Sequence, residues 1–354
     1  MALISDLLYT SLMPDLAPLS IINFPSVRVW DSPSHDQFWN EIYPLGEPAI
    51  LRGHCAQWGA AKMNSADNKA FATYLHGSGP NGEVNAFVGR GDIGGRFFYN
   101  DDLSGFNFDR ASVPFSAFLT KLLNIEREGE PVSIYVGATS VHDLIPRFLP
   151  GNQSPLPPEG TPPLAWIGNA SRVAPHFDTS DNIACVVRGR RTFLLYPPEQ
   201  VENLYVGPLD HNMAGQPASL VDPRAPDLDA FPKYKKAETA AIMAELEPGD
   251  AIFIPALWWH YVESYSPFSM LVNYWWSQAD TGHGLGSLAH AIMALRELPD
   301  NQRNAWQKMF NHYVFNEDAG AAAEHLPDQV RGILSAPSPE RDHKIKSFLQ
   351  MILR

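Results

Sequence analysis

His176-Phe177-Asp178, followed 82 residues after the aspartate by His260, is the set of side chains in this chain best suited to chemistry. Two imidazoles and one carboxylate can occupy one face of an octahedral metal and leave three positions open. That set suits Fe(II) that must also hold a chelating co-substrate and dioxygen. On a strand, residues i and i+2 share a face, so His176 and Asp178 can reach one ion while Phe177 turns away. A histidine in an aromatic run such as Trp258-Trp259-His260 is ordinarily a core residue. Joined to His176 and Asp178 in this order, it reads as the third ligand.

The surrounding pattern must position these groups. Residues 173–177 read as a short strand, and 182–187 and 191–196 as apolar, β-rich runs separated by Arg188-Gly189-Arg190, a hairpin. Glu247-Pro248-Gly249-Asp250 is a turn before a strand at 251–255, and 269–276 is a further buried strand. Short strands with Gly/Pro turns and little helix between them predict an antiparallel barrel or jelly roll, with the metal in its mouth.

The ordered run Pro175-His176-Phe177-Asp178, Asn182, Gly189-Arg190-Arg191, Tyr196-Pro197-Pro198-Glu199-Gln200, Pro248-Gly249-Asp250, Trp258-Trp259-His260 and Asn273-Tyr274-Trp275 resembles the cupin-like branch of the JmjC oxygenases. Within that branch it is similar to the asparaginyl hydroxylase that acts on hypoxia-inducible factor. The resemblance covers about residues 130–280 and implies a double-stranded β-helix (jelly-roll, cupin) core with flanking helices. It further implies an Fe(II)- and 2-oxoglutarate-dependent dioxygenase that hydroxylates a C–H bond with O2, with His176, Asp178 and His260 as the iron ligands. Arg191 stands where the relative uses a lysine to bind the distal carboxylate of 2-oxoglutarate, and its planar fork should preserve that role. Asn182 and Asn273 match asparagines lining the co-substrate pocket, and Tyr135 matches a tyrosine that bonds the same carboxylate.

Two departures stand out. Val173 replaces a threonine of the relative and cannot hydrogen-bond the co-substrate, which leaves Ser171 as the expected compensating donor. An Arg-Gln pair that grips the target amide in the relative is missing, the corresponding stretch reading Gly215-Gln216-Pro217-Ala218-Ser219. The machinery for iron and co-substrate therefore carries over, and the substrate does not. A protein or peptide side chain is the expected substrate, with a small molecule as a close variant. The alternative from another class is a non-catalytic cupin-like protein that binds a metal or small molecule. The triad together with Arg191 favours catalysis, since a binding module needs no such pair. A metal-dependent isomerase of the cupin type would not need the 2-oxoglutarate anchor.

Other patterns exclude classes. Gly89-Arg90-Gly91-Asp92-Ile93-Gly94 fits a dinucleotide-binding fingerprint by letter but runs into strand-like residues 95–100 instead of opening a helix, so it reads as a loop or hairpin. A net charge of −13 works against nucleic-acid binding, which needs a positive surface. Two cysteines, Cys55 and Cys185, without paired spacing fit a reducing cytoplasm rather than a disulfide scaffold. No basic leader or long apolar stretch is evident, so neither secretion nor a membrane span is expected.

Along the 354 residues three regions emerge: 1–130 as an N-terminal α+β region packed on the barrel, 131–280 as the catalytic core, and 281–354 as a helical region. Ser34 and Gln37 form a capping-box start for a helix through Phe38 and Ile42, and Val113-Pro114 opens another with Phe115, Phe118, Leu119, Leu122 and Leu123 at helical spacing. Residues 206–236 read as an active-site loop. Beyond Asp280, Leu285, Leu288, Ala289, Ile292 and Leu295 make one helical stripe, and Trp306, Met309, Phe310 and Tyr313 another. Exposed aromatic stripes need covering, and the resemblance implies a homodimer made by these helices.

Overall fold

The computed structural model describes residues 19, 24–129, 131–212, 215–277, 284–318 and 320–352. The chain divides into two compact units, residues 1–277 and 278–354. The expected boundary between 280 and 281, with Asp280 itself, lies outside the described residues.

In chain order the strands of the first unit are β1 (Arg28–Asp31), β2 (Ala49–Arg52), β3 (Glu83–Gly89), β4 (Arg96–Phe97), β5 (Asp109–Pro114), β6 (Ser133–Ser140) and β7 (Pro163–Gly168). They continue with β8 (Ser171–Phe177), β9 (Asp181–Arg188), β10 (Arg191–Tyr196), β11 (Ile242–Leu246), β12 (Ala251–Ile254), β13 (Trp259–Ser264) and β14 (Ser269–Trp276). A nine-stranded sheet runs in the order β1-β2-β12-β9-β14-β7-β6-β3-β5, and a five-stranded sheet in the order β11-β10-β13-β8-β4. This is the mainly β jelly-roll with flanking helices that the sequence predicts. Strands from before residue 130 do more than cover the barrel, because β1, β2, β3 and β5 extend the larger sheet.

Side-chain alternation sorts each strand between two faces. In β9, Ile183, Cys185 and Val187 join Phe38, Phe71 and Phe118 in the core on the outer side of the nine-stranded sheet. Ala184 and Val186 turn the other way, to meet Phe193 and Leu195 of β10 and Val262 of β13 between the sheets. On the outer side of the five-stranded sheet, Leu194, Tyr196, Trp259 and Tyr261 bury against Leu204, Val221 and Tyr234. Every residue of β9 is buried, which explains its continuous apolar run. Each fully buried Val or Ile there contributes about 1.5–3 kcal/mol relative to exposure.

Ser34 caps its helix as predicted, accepting the Gln37 N–H at 3.1 Å, and the segment continues through Phe38–Ile42. The helix Phe115–Glu128 buries Phe115, Phe118, Leu119, Leu122 and Ile125. Residues 95–100 form less strand than their composition suggests. Only Arg96–Phe97 forms a strand, with Tyr99 in an isolated bridge to Phe106, and Gly94 and Gly95, with φ of 54° and 73°, make the left-handed turn that precedes it. The second unit contains helices Gly284–Leu295, Asp300–Tyr313 and Pro339–Ile352, the last lying in the region read as helical but without a stripe assigned to it. No described helix is long and apolar enough to cross a membrane.

Candidate metal centre

His176 and His260 are directly opposite each other on antiparallel β8 and β13, with ring centroids 4.2 Å apart. Asp178 follows the end of β8, and its Oδ2 lies 3.7 Å from His260 Nε2. One donor atom from each of the three lies within 4.8 Å of the others. The sequence pattern thus describes one place in space.

Backbone irregularities make the convergence. Between the pairs His260–His176 and Val262–Val173 the register shifts, so that Ala174 and Pro175 oppose Tyr261 alone. Proline suits such a β-bulge because it has no N–H to donate to a ladder. The bulge resets the alternation, so Val173 faces the cavity although it lies an odd number of residues from His176. On the other side, Leu257 holds a left-handed φ of 68° and donates its N–H to the Asp178 carbonyl at 2.8 Å. That bond ties the turn delivering His260 to the segment delivering Asp178.

Each imidazole is held by its far nitrogen. His176 Nδ1 contacts the Ala174 carbonyl at 2.9 Å, and His260 Nδ1 the Trp258 carbonyl at 3.1 Å. A carbonyl only accepts, so both Nδ1 atoms carry the hydrogen and both Nε2 lone pairs are left for a cation. Burial pushes the Asp178 carboxyl above its usual range, opposed by His176 and the Trp275 indole N–H. Burial also holds His260 well below the usual histidine range, with His176 adding to the effect. Two imidazoles that turn Nε2 to the site beside a desolvated carboxylate form a donor set that a divalent cation fits, with open positions for further ligands.

A cavity opens from the triad. Its polar lining includes Tyr135, Asn182, Arg191, Gln216 and Asn273, and its apolar lining Phe97, Trp166, Val173, Phe193 and Leu271. All four residues expected to bind the co-substrate are therefore brought beside the triad. Arg191 keeps accessible surface only in part, because it lines this cavity. Desolvation pushes its pKa down to about 10, its Nε has no partner, and its Nη2 makes a long bond of 3.4 Å to Ser269 Oγ. Trp166 Nε1–H donates to Asn273 Oδ1 at 2.9 Å, and Asn273 Nδ2–H to Asn182 Oδ1 at 3.3 Å. This relay orients both amides. Burial raises the Tyr135 phenol, keeping it neutral, and Arg110 opposes that shift.

The structure corrects one expectation: Ser171 does not line the cavity; it pairs with Ser264 across the sheet, and Ser269 is the hydroxyl that meets Arg191. The stretch 215–219, which lacks the Arg-Gln pair but lies in the segment read as an active-site loop, reaches the cavity through Gln216 and Ala218. Trp166 was missed, although alternation in 163–168 would have placed it on the cavity face. It fits because position 137 is glycine: a Cβ there would stand 2.6 Å from the Trp166 ring.

A jelly-roll core whose mouth holds two histidines and an aspartate defines a class of metal-binding β-barrel proteins. The chain belongs to the cupin-like domain family, whose model matches residues 35–282. It is 26% identical over 276 residues to Jumonji C domain-containing protein 5 of Drosophila melanogaster, covering 75% of this chain and 63% of that protein. It is 23% identical over 320 residues to tRNA wybutosine-synthesizing protein 5 of Gallus gallus, covering 80% and 93%. Lysine-specific demethylase 8 of Xenopus tropicalis is 35% identical over 114 residues, 32% of this chain and 24% of that protein. The chain thus spans less than two thirds of the fly and frog relatives. Family and relatives support an oxygenase of the 2-oxoglutarate type.

Proposed function

We propose that this protein is an Fe(II)- and 2-oxoglutarate-dependent dioxygenase that hydroxylates a C–H bond, with a protein side chain as substrate. The reading is carried by one observation: the His176-Asp178-His260 cluster shares a cavity with Arg191, a desolvated guanidinium in no ion pair among the described residues. A cation-holding triad beside an unneutralised arginine suits a ligand that chelates at one end and carries a carboxylate at the other.

In this reading His176 Nε2, Asp178 and His260 Nε2 hold the iron, and Arg191 receives the distal carboxylate. Bound together, iron, 2-oxoglutarate and O2 supply the oxidising power, and succinate and CO2 leave with the hydroxylated product. The rest falls to the chain's own groups. The Trp166-Asn273-Asn182 relay orients amides at the cavity wall, Tyr135 offers a neutral hydroxyl, and Phe97, Phe193 and Leu271 exclude water. The relative named for lysine demethylation supports a protein substrate. The relative named for tRNA wybutosine synthesis covers more of its own length, but a net charge of −13 disfavours a polyanion.

Anaerobic addition of 2-oxoglutarate to the Fe(II)-loaded protein should give a charge-transfer absorption near ~500 nm, expected of chelation at an open facial site. No band with metal bound would favour the non-catalytic binding protein and sink the oxygenase reading. The C-terminal helices leave Met293, Trp306, Met309 and Tyr313 exposed. We infer from that apolar surface a homodimer through these helices, checked by light scattering of the purified chain.

A further inference from the structure

Residues 197–233 connect β10 to the helix Tyr234–Ala240, and the described ones among them form no strand. Long irregular segments beside an active site commonly act as closing lids. Here the part that reaches the cavity is fastened to the barrel in three ways. Its backbone joins the β8 bulge, where Ser219 donates its N–H to the Pro175 carbonyl at 2.7 Å and Ala218 bridges to His176. Val221 is fully buried beside Leu204 and Tyr234. Just beyond, the Arg224 guanidinium grips the Glu263 carboxylate through both Nε and Nη2, the latter at 2.6 Å.

That ion pair is unusual in its surroundings. The side chains of Arg224 and Glu263 are 8% and 1% exposed. The same carboxylate accepts the hydroxyls of Tyr261 and Tyr265 at 2.5 Å each. A charge pair this desolvated holds its geometry only when its hydrogen bonds are filled, and losing one member strands the other. Asp222 adds a second tie, accepting the Arg224 N–H at 3.1 Å and facing Arg96 and Arg172 at 3.5 Å each. The ties land on β4, β8 and β13, the strands that carry Phe97, His176 and His260. At the other end of the stretch Gln216 lines the cavity with a buried Oε1 that has no partner.

We propose that Arg224 is a positioning residue whose ion pair with Glu263 fixes residues 215–222 as a standing wall of the cavity. Gln216 then meets a ligand from a preformed position, without closure of this stretch. The inference goes beyond the oxygenase reading and does not depend on it.

Hydrogen–deuterium exchange of the full chain, followed by mass spectrometry, tests it. In Arg224→Gln, peptides covering 215–222 should exchange at least about tenfold faster while those from β9 and β14 keep their rates. Arg224→Lys keeps the charge without the fork and should give a smaller rise, about threefold. Glu263→Gln provides the same readout if Arg224→Gln does not fold. Equal acceleration in β9 and β14 would reduce the pair to a general stabiliser and overturn the proposal, as would unchanged exchange at 215–222. Mn(II) binding serves as the separate control. If Mn(II) fails to bind even the unsubstituted protein, the metal reading falls while the exchange result still decides the clamp.

Discussion

The two ends of the cavity are built on different principles. At the Arg191 end every lining group stands on a strand of the barrel, and its amides are bonded to one another. At the Gln216 end the wall comes from a loop, and the Gln216 Oε1 has no partner among the described residues. A barrel fixes what its strands carry, so the first end is committed by the fold to one kind of ligand. The loop end can change its side chains without disturbing a ladder, which is where a family varies its substrates.

The sharpest way to break this comparison is at the triad. Asp178→Ala should weaken Mn(II) or Fe(II) binding by more than about 100-fold, beyond what loss of an outer partner produces. Binding of either ion unchanged in that variant, read by calorimetry, would remove the assignment. The next test sets the two ends against each other. Arg191→Ala should weaken 2-oxoglutarate binding to the Mn(II)-loaded protein by on the order of 100-fold, the cost of losing one side of a buried charged bond. Gln216→Ala should change it by less than about twofold, being at the other end. Similar losses in both would mean that the ends are not separate.

A smaller effect lies outside the cavity. His54 bonds Ser154 Oγ at 2.8 Å, and burial pushes its pKa down to about 4. The unfolded chain, with His54 near its ordinary value, therefore takes up a proton first as pH falls. Stability is full above the ordinary value and declines as pH drops toward about 4. The His54 share of the loss by pH 5 is about 2 kcal/mol. Urea midpoints at pH 7.5 and 5 should show His54→Gln to be less acid-sensitive than the unsubstituted protein, whereas equal sensitivity would mean that His54 does not report this linkage.

What could be read from the residues divides along the same line as the cavity. Asn182, Arg191 and Asn273 were legible through the resemblance, whose ordered motifs sit on strands that fix where such residues point. Ser171 was named to replace the hydroxyl absent at Val173; counted through the Ala174-Pro175 bulge it shares the face of Val173, but it lies beyond the cavity, opposite Ser264. The segment holding Gln216 read as an active-site loop, but Gln216 itself was not singled out, because a loop has no period and only tertiary bonds such as Ser219 to Pro175 bring it to the triad. No stripe was singled out in the helix Pro339–Ile352, although 281–354 read as helical, because Ile345, Phe348, Leu349, Met351 and Ile352 crowd its C-terminal half and do not span it.

Gly137 lends the cavity wall a dependence that inspection of the lining would not disclose. It touches no ligand space itself, yet the width of the indole at 166 rests on the hydrogen atom that stands where other residues carry carbon. In homologous chains, a larger residue at this position should travel with a narrower ring at the position of Trp166, and with a different partner for the amide of Asn273. Two columns of an alignment would then change together because one records the room the other requires.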